Sequence, residues 1–169
     1  MILSVGCGVS SAEPGVIRLD KSPDVCPDVV WDLNCYPYPF ADSVFDEILC
    51  KDVIEHLDDI VRPMEEFYRI LKPSGVLKIW TPHFSCANSF IDPTHRWHLS
   101  YSSFEYFNKG HKYSYYSSCA FTANNTRLCF NNGILNKIAS VIANIYPEKY
   151  EQTFSWIFPC WYIYVELQK

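Results

Sequence analysis

Histidines and nearby carboxylates occur in two short segments that could perform acid–base chemistry. Glu55 and His56 stand side by side in DVIEHL, and His95 and His98 follow in DPTHRWHL. A neutral imidazole accepts a proton near pH 7, so His56 and His95 are candidate general bases for an acceptor such as a hydroxyl. His83, in TPHF, is a further candidate. A packing or capping role for Glu55 and His56 is also open from the spacing.

A glycine turn near the start of the chain could approach a ligand closely. Gly6-Cys7-Gly8 follows one apolar run, and a second apolar run ends on Asp20. Glycine permits the sharp turn, and an acid at the end of the next strand can accept hydrogen bonds from the hydroxyls of a ribose. We therefore expect a nucleoside-containing ligand here. Cys7 is interpreted as a small filler, because nothing nearby would lower its pKa.

The segment after this turn is too short for the helix that dinucleotide sites require. Residues 9–15 alone separate the turn from the second apolar run, and they include Pro14 and Gly15. The dinucleotide fingerprint has a third glycine shortly after the second, and this sequence has Ser10 and Ser11 there. A pyrophosphate needs the free N–H groups of a helix N-terminus, so NAD and FAD are disfavoured. S-adenosylmethionine has a ribose and an adenine but no phosphate, and it fits better.

The elements that must position these residues alternate in the way that is typical of a parallel α/β sheet. Predicted strands in the first half are Ile2–Val5, Val16–Leu19, Val29–Trp31, Phe45–Cys50 and Val76–Trp80. In the second half, strands are predicted near 121–130 and within 160–169. Apolar runs on this scale are too short to span a bilayer.

Helices are predicted from apolar residues that recur with helical spacing. The clearest helix follows Pro63, and residues 72–75 (KPSG) are expected to end it and turn the chain into the next strand. A shorter helix is predicted over Asp52–Leu57, and another short helix or turn over 101–107. The stripe from Ile134 to Ile145 predicts an amphipathic helix ended by Pro147. We expect that helix to cover the sheet, with a pocket wall or a membrane surface as alternatives.

The amino-acid composition narrows the possible classes of protein further. The 169 residues suit a single domain over 1–169, and a 49% hydrophobic content excludes intrinsic disorder. A net charge of -5 disfavours generic nucleic-acid binding, which needs a basic surface. The eight cysteines contain no C-x-x-C pair, and no basic leader precedes the first apolar run. Reduced thiols in the cytoplasm are the expected state.

Several quoted segments occur in an order that resembles a known family. LSVGCG, VIRLD, VVWDLNCYPYPFADSVFDEILCKDVIEHL and FYRILKPSGVLKIWTP are similar to a class I S-adenosylmethionine-dependent methyltransferase of the small type-11 kind, over roughly residues 2–107. The resemblance implies a Rossmann-like, doubly wound α/β sheet of about seven strands with the last antiparallel. The short segment after the glycine turn means that the first crossover helix is reduced to a loop.

The resemblance also implies roles for single residues. The methionine part of the cofactor would lie against Val5, Gly6, Cys7 and Gly8, and its end would contact the backbone of Cys50 and Lys51. The ribose would be bound by Asp20, with Lys21 beside it. The adenine would lie along Asp32 and Leu33. Ser4 and Ser10 depart from the family pattern at positions that often hold an acid and a glycine.

The function that follows is methyl transfer to a small-molecule or glycan-like acceptor, expected at oxygen, with His56 or His95 as base. Asp52, Glu55, His56 and a later histidine also resemble the metal-assisted O-methyltransferases of the ubiquinone and small-RNA types. That resemblance implies a divalent ion as an alternative, although Asp52 is shorter than the glutamate of those enzymes. A non-catalytic methyltransferase-like binding domain is the other alternative.

Overall fold

One seven-stranded sheet organises the chain. The computed structural model describes residues 1–9 and 11–169. The strands are β1 (Ile2–Val5), β2 (Val16–Asp20), β3 (Val29–Val30), β4 (Phe45–Lys51), β5 (Leu71–Pro82), β6 (Thr122–Cys129) and β7 (Tyr162–Gln168). Their order is β3-β2-β1-β4-β5-β7-β6, with β1 to β5 parallel and β7 antiparallel to β5 and β6. The predicted α/β sheet with its last strand antiparallel is confirmed.

Helices and short 3-10 turns connect these strands. The helices are α1 (Val61–Ile70), α2 (Asn88–Ile91), α3 (Ile134–Ile145) and α4 (Pro147–Thr153), and the 3-10 turns are Pro23–Val25, Ile54–His56, Tyr101–Phe107 and Ser114–Tyr116. The predicted helix around Pro63 is confirmed as α1, whose Met64, Phe67 and Ile70 are fully buried. They join the inward residues of the central strands in one apolar core. Strands β1 and β4 are paired in parallel, so their carboxyl ends lie side by side.

The connection from β1 to β2 contains no helix among its described residues, 6–9 and 11–15. The amide of Ile2 donates to the carbonyl of Gly15 (3.3 Å), so the connection folds back directly to the start of β1. The prediction that the first crossover helix is reduced to a loop is confirmed for this part. Ser10 lies outside the described residues.

Two predicted boundaries are wrong for local backbone reasons. The predicted helix over Asp52–Leu57 is a 3-10 turn, Ile54–His56, because Asp52 adopts a left-handed φ of 54° that no α-helix accommodates. Strand β5 begins at Leu71, which pairs with Phe45, and not at Val76. The predicted turn at 72–75 is therefore an irregularity inside β5, and α2 and α4 were not predicted.

Helix α3 does not cover the sheet as predicted. Its buried side chains are the small ones of Ala139 and Ala143. Its six large apolar residues are between 51% and 79% exposed: Ile134, Leu135, Ile138, Val141, Ile142 and Ile145. Asn144 holds the helix to the sheet edge through hydrogen bonds with the backbone of Leu128. Within the described residues, no helix is both long enough and apolar enough to cross a membrane.

Candidate active site

A cleft of about 720 Å³ opens at the carboxyl ends of β1, β2 and β4. In open α/β sheets, ligands bind outside the carboxyl ends of the strands where the strand order reverses, here between β1 and β4. The lining residues are Gly6, Leu19, Asp20, Lys21, Trp31, Asp32, Leu33, Asn34, Asp52, Val53, His56, Leu57, Asp58, Pro93, Thr94 and Arg96.

The glycine turn needs glycine for two separate reasons. Gly6 and Gly8 have φ values of 57° and 52°, in the left-handed region. A Cβ on Gly6 would also lie 2.3 Å from Cγ2 of Val53, so the turn packs closely against the segment after β4. A Cβ on Gly8 would meet nothing within 4 Å. Backbone conformation alone therefore requires the second glycine.

The carboxylate of Asp20 links the glycine turn to the next strand. Its Oδ2 accepts from the amide of Gly8 (2.9 Å), and its Oδ1 accepts from the amide of Ser22 (2.9 Å). A carboxylate has about four lone-pair directions, so Asp20 can accept further hydrogen bonds from a ligand. Lys21, the next residue, also lines the cleft.

The loop after β3 forms another wall of the cleft. Oδ1 of Asp32 accepts from the amide of Asn34 (2.9 Å), which is a local turn. The hydroxyl of the buried Tyr38 donates to the carbonyl of Leu33 (3.1 Å) and holds that residue in place. Trp31 also lines the cleft and was missed, although its position beside Asp32 is a signal that could have found it.

Half of the residues that were assigned to the cofactor from sequence line this cleft. Gly6, Asp20, Lys21, Asp32 and Leu33 are lining residues, whereas Val5, Cys7, Gly8, Cys50 and Lys51 are not among them. The side chains of Val5 and Cys50 are buried in the core, which leaves them only backbone atoms to offer. Burial also raises the pKa of the Cys7 thiol, in keeping with its interpretation as a filler.

His56 and His95, 39 residues apart in sequence, come together at the cleft. Their ring centroids are 4.6 Å apart, and one ligand atom from each lies within 4.8 Å of the others and of a carboxylate oxygen of Glu55. The DPTHRW segment is held against the segment after β4, because the amide of Arg96 donates to the carbonyl of Glu55 (2.8 Å). The indole of Trp97 donates to the carbonyl of Leu57 (2.8 Å). The fold thus makes one cluster from the two segments that the sequence singled out.

Glu55 is the buried member of this cluster, with 1% exposure. Its Oε2 accepts from the hydroxyl of Thr81 (3.0 Å), and its Oε1 has no hydrogen-bond partner among the described residues. Burial raises the pKa of Glu55 to about 7. Burial and the neighbouring His95 lower the pKa of His56, which favours the neutral imidazole.

The remaining candidates lie apart from the cluster. His83 is fully buried, with Nδ1 against Oγ of Ser85 (2.8 Å) and Nε2 against Oε1 of Glu151 (3.0 Å), so both nitrogens are engaged. His98 pairs with Ser89 and stacks on Phe90.

Asp52 lines the cleft but is absent from the Glu55–His56–His95 cluster. Its carboxylate lies near the hydroxyl of Tyr162, where its charge adds to the effect of burial in raising the pKa of that phenol. The sequence spacing that grouped Asp52 with Glu55 and His56 assumed an α-helix, which this segment does not form.

Comparison with known proteins agrees with this geometry. Residues 3–79 match the type-11 family described as a methyltransferase domain. An S-adenosylmethionine-dependent methyltransferase from Archaeoglobus fulgidus is 19% identical with a TM-score of 0.70, over 99% of this chain and 85% of that one. One from Mesorhizobium loti is 13% identical with a TM-score of 0.63, over 99% and 90%. The [4+2]-cyclase SpnF is 16% identical with a TM-score of 0.61, over 99% and 73%.

At these identities the solved structures establish the fold, and the family match covers residues 3–79, somewhat less than half of the chain. No curated protein sequence matches the chain. The matched segment includes the glycine turn and the acid at the end of β2, whose Gly6 and Asp20 line the cleft. The chain therefore has the fold of the solved S-adenosylmethionine-dependent methyltransferases, and its residues 3–79 match the type-11 methyltransferase-domain family.

Proposed function

We propose that this protein transfers a methyl group to a hydroxyl oxygen of a small-molecule or glycan-like acceptor. The observation that carries this proposal is the position of His56, which both lines the cofactor cleft and contacts His95. An imidazole nitrogen that can accept the proton of an acceptor hydroxyl would then lie at the cleft wall. The net charge of -5 argues against a generic nucleic-acid acceptor.

The residues around the cleft suit the cofactor. A sulfonium cofactor needs no helix N-terminus, and the connection from β1 to β2 has none in its described part. Asp20 would accept hydrogen bonds from the ribose, and Asp32 and Leu33 would lie along the adenine. The backbone of the glycine turn and of Cys50 and Lys51 would face the methionine end. Bound S-adenosylmethionine supplies a methyl group on a positively charged sulfur.

The acceptor side is proposed to be His56, His95 and the segment around Thr94. In the simplest arrangement, one neutral imidazole accepts the hydroxyl proton as the oxygen attacks. The lowered pKa of His56 keeps that ring unprotonated near neutral pH. Most of the rate enhancement would come from holding the oxygen in line with the methyl carbon, which is a matter of position.

A second candidate function is binding of the cofactor without methyl transfer. No helix follows the glycine turn in the described residues, and the carboxylate of Asp20 already accepts hydrogen bonds from two backbone amides. Among proteins of this fold, SpnF is described as a [4+2]-cyclase, so the fold alone does not decide the reaction.

The test is His95→Ala, with His98→Ala as the matched control from the same segment. A metabolite extract incubated with the protein and S-adenosylmethionine should yield a new methylated product by mass spectrometry. His95→Ala should greatly lower its formation, while calorimetry still shows cofactor binding. Binding with no methylated product from any extract would favour the second candidate.

We further infer a cytoplasmic location. All eight cysteines are free thiols, and several of them are buried in the core. Burial raises the pKa of Cys50 and Cys160, which keeps these thiols protonated and unreactive. Such a set of unpaired cysteines suits a reducing compartment.

A further inference from the structure

We propose that Glu55, His56 and His95 form a binding site for a divalent transition-metal ion. One ligand atom from each residue lies within 4.8 Å of the other two, so small side-chain rotations would bring all three to the distance of about 2.0–2.2 Å at which they bind one ion. The ligands would be Oε1 of Glu55 and Nε2 of the two histidines. The three residues come from the segment after β4 and from the DPTH turn, which backbone hydrogen bonds hold together.

The hydrogen bonds around His56 leave Nε2 as its lone-pair nitrogen. The hydroxyl of Thr94 donates its one proton to Oδ1 of Asp92 (2.7 Å). Its oxygen must therefore accept from Nδ1 of His56, which lies 2.9 Å away. The proton of the neutral ring is thus on Nδ1.

The same assignment holds for His95. Its Nδ1 lies 3.2 Å from the carbonyl oxygen of Ser89, which can only accept. Both rings are therefore held with N–H on the outer nitrogen and a lone pair on Nε2. Histidines that bind metal are held in this way, with the second nitrogen donating to a carbonyl, a carboxylate or another oriented oxygen.

Glu55 supplies the observation that separates a metal site from a simple pair of histidines. Its side chain is almost fully buried, and Oε1 has no hydrogen-bond partner in the part of the chain that the structure describes. A buried carboxylate oxygen without a partner is costly unless a positive charge or a donor faces it. Because both imidazoles present lone pairs and not N–H groups, neither ring satisfies that oxygen, whereas a cation would satisfy all three groups.

The donor set indicates which ions would bind. Two imidazoles and one carboxylate favour zinc and similar first-row ions over magnesium or calcium, which prefer oxygen ligands. Three protein ligands leave at least one coordination position for another oxygen. This role rests on the proposed function: an acceptor hydroxyl would donate an oxygen lone pair to the ion, its pKa would fall, and its proton would pass to solvent. The imidazoles would then be ligands and not bases.

The experiment titrates zinc chloride into the full chain after a chelator has stripped it, by calorimetry, with S-adenosylmethionine titrated separately. The parent should bind one zinc ion per chain. Glu55→Gln, which keeps the volume and a partner for Thr81, and His95→Ala should each abolish that binding, whereas His98→Ala should retain it. Thr94→Val, which removes the acceptor for Nδ1 of His56, should weaken zinc binding by roughly 10- to 100-fold.

Cofactor binding by the same stripped samples shows that the variants are folded and tests the proposed function separately from the metal site. Because Cys26 and Cys35 are exposed thiols, zinc could also bind elsewhere. Cobalt(II) distinguishes the sites, since a thiolate ligand adds an intense near-ultraviolet charge-transfer band that nitrogen and oxygen ligands lack. Absence of zinc binding, unchanged binding in Glu55→Gln and His95→Ala, or a thiolate band for cobalt would each overturn the proposal.

Discussion

The amide nitrogen of Gly8 lies 2.9 Å from Oδ2 of Asp20, so the acid at the end of β2 holds the glycine turn that follows β1. In a full nucleotide-binding unit, a helix follows that turn and packs it against the sheet. Here the connection has no helix in its described part, and a side chain takes over the task. Asp20 therefore shapes the turn in addition to its proposed contact with the ribose.

Replacing Asp20 should weaken cofactor binding. Asp20→Ala should lose roughly 1.5–3 kcal/mol of binding free energy, the range for hydrogen bonds to a charged group. Asp24→Ala, an acid in the adjacent 3-10 turn, is the control. Calorimetric titration with S-adenosylmethionine measures both. If Asp20→Ala binds as tightly as the parent, the ribose assignment is wrong.

The two glycines of the turn should respond differently to alanine. Gly8→Ala should cost roughly 1–2 kcal/mol of stability, because its only penalty is the left-handed backbone. Gly6→Ala should cost more, since its Cβ would lie 2.3 Å from Val53. Urea denaturation of Gly6→Ala, Val53→Ala and the double variant measures the coupling. The double variant should lose less stability than the two single variants lose together. If the losses simply add, the contact between Gly6 and Val53 contributes nothing to them.

The loop between the glycine turn and β2 should become ordered when the cofactor binds. Val9 is 92% exposed, and no helix covers this side of the cleft in the described residues. Hydrogen exchange at the amides of residues 11–13 and 15 should slow in the presence of S-adenosylmethionine. The amides of α1 serve as the internal control. Equal protection with and without the cofactor would show that the loop does not respond.

Stability should depend on pH through Glu66, which supports the wall of the cleft. Hydrogen bonds from Arg69 hold the pKa of Glu66 below its ordinary value of 4.5, and the carboxylate also accepts from the amide of Tyr38. The folded state therefore binds this proton less tightly than the unfolded state. Its stabilisation is fully present above the unfolded pKa and is lost as the pH falls through the folded pKa.

Glu66→Gln tests this directly. Near neutral pH the variant should be less stable than the parent by roughly 1.5–3 kcal/mol, and the difference should shrink below about pH 4. Urea denaturation across that range measures it, with the exposed Glu13→Gln as control. A difference that does not change with pH would mean that the ion pair with Arg69 contributes nothing.

The sequence was sufficient for the order and type of most elements, since local patterns decide them. Alternating burial defines the strands, and helical spacing defines α1 and α3. The sequence was not sufficient where one backbone angle or one long-range contact determines the local structure. Asp52 turns left-handed and converts a predicted helix into a 3-10 turn, and the pairing of Leu71 with Phe45 extends β5 by five residues over its predicted start at Val76. For α3, the apolar spacing predicted the helix but not the exposure of its apolar face, because periodicity does not show whether another element packs against that face.

The residues of the candidate site divide in the same way, into those that the sequence singled out and those whose contacts depend on the fold. Gly6, Gly8 and Asp20 were proposed as site residues from sequence, because a turn and the acid after the next strand are set by short-range geometry. His56 and His95 were recognised as single residues, but their 4.6 Å contact depends on the fold of DPTHRW back onto Glu55. The tertiary structure decides the other features of the site. Among the described residues, Oε1 of Glu55 has no hydrogen-bond partner, both nitrogens of His83 are engaged, and Asp52 lies near Tyr162 instead of in the cluster. Residue types and spacing thus determine which chemistry is available, and only tertiary packing determines which groups are brought together and desolvated to perform it.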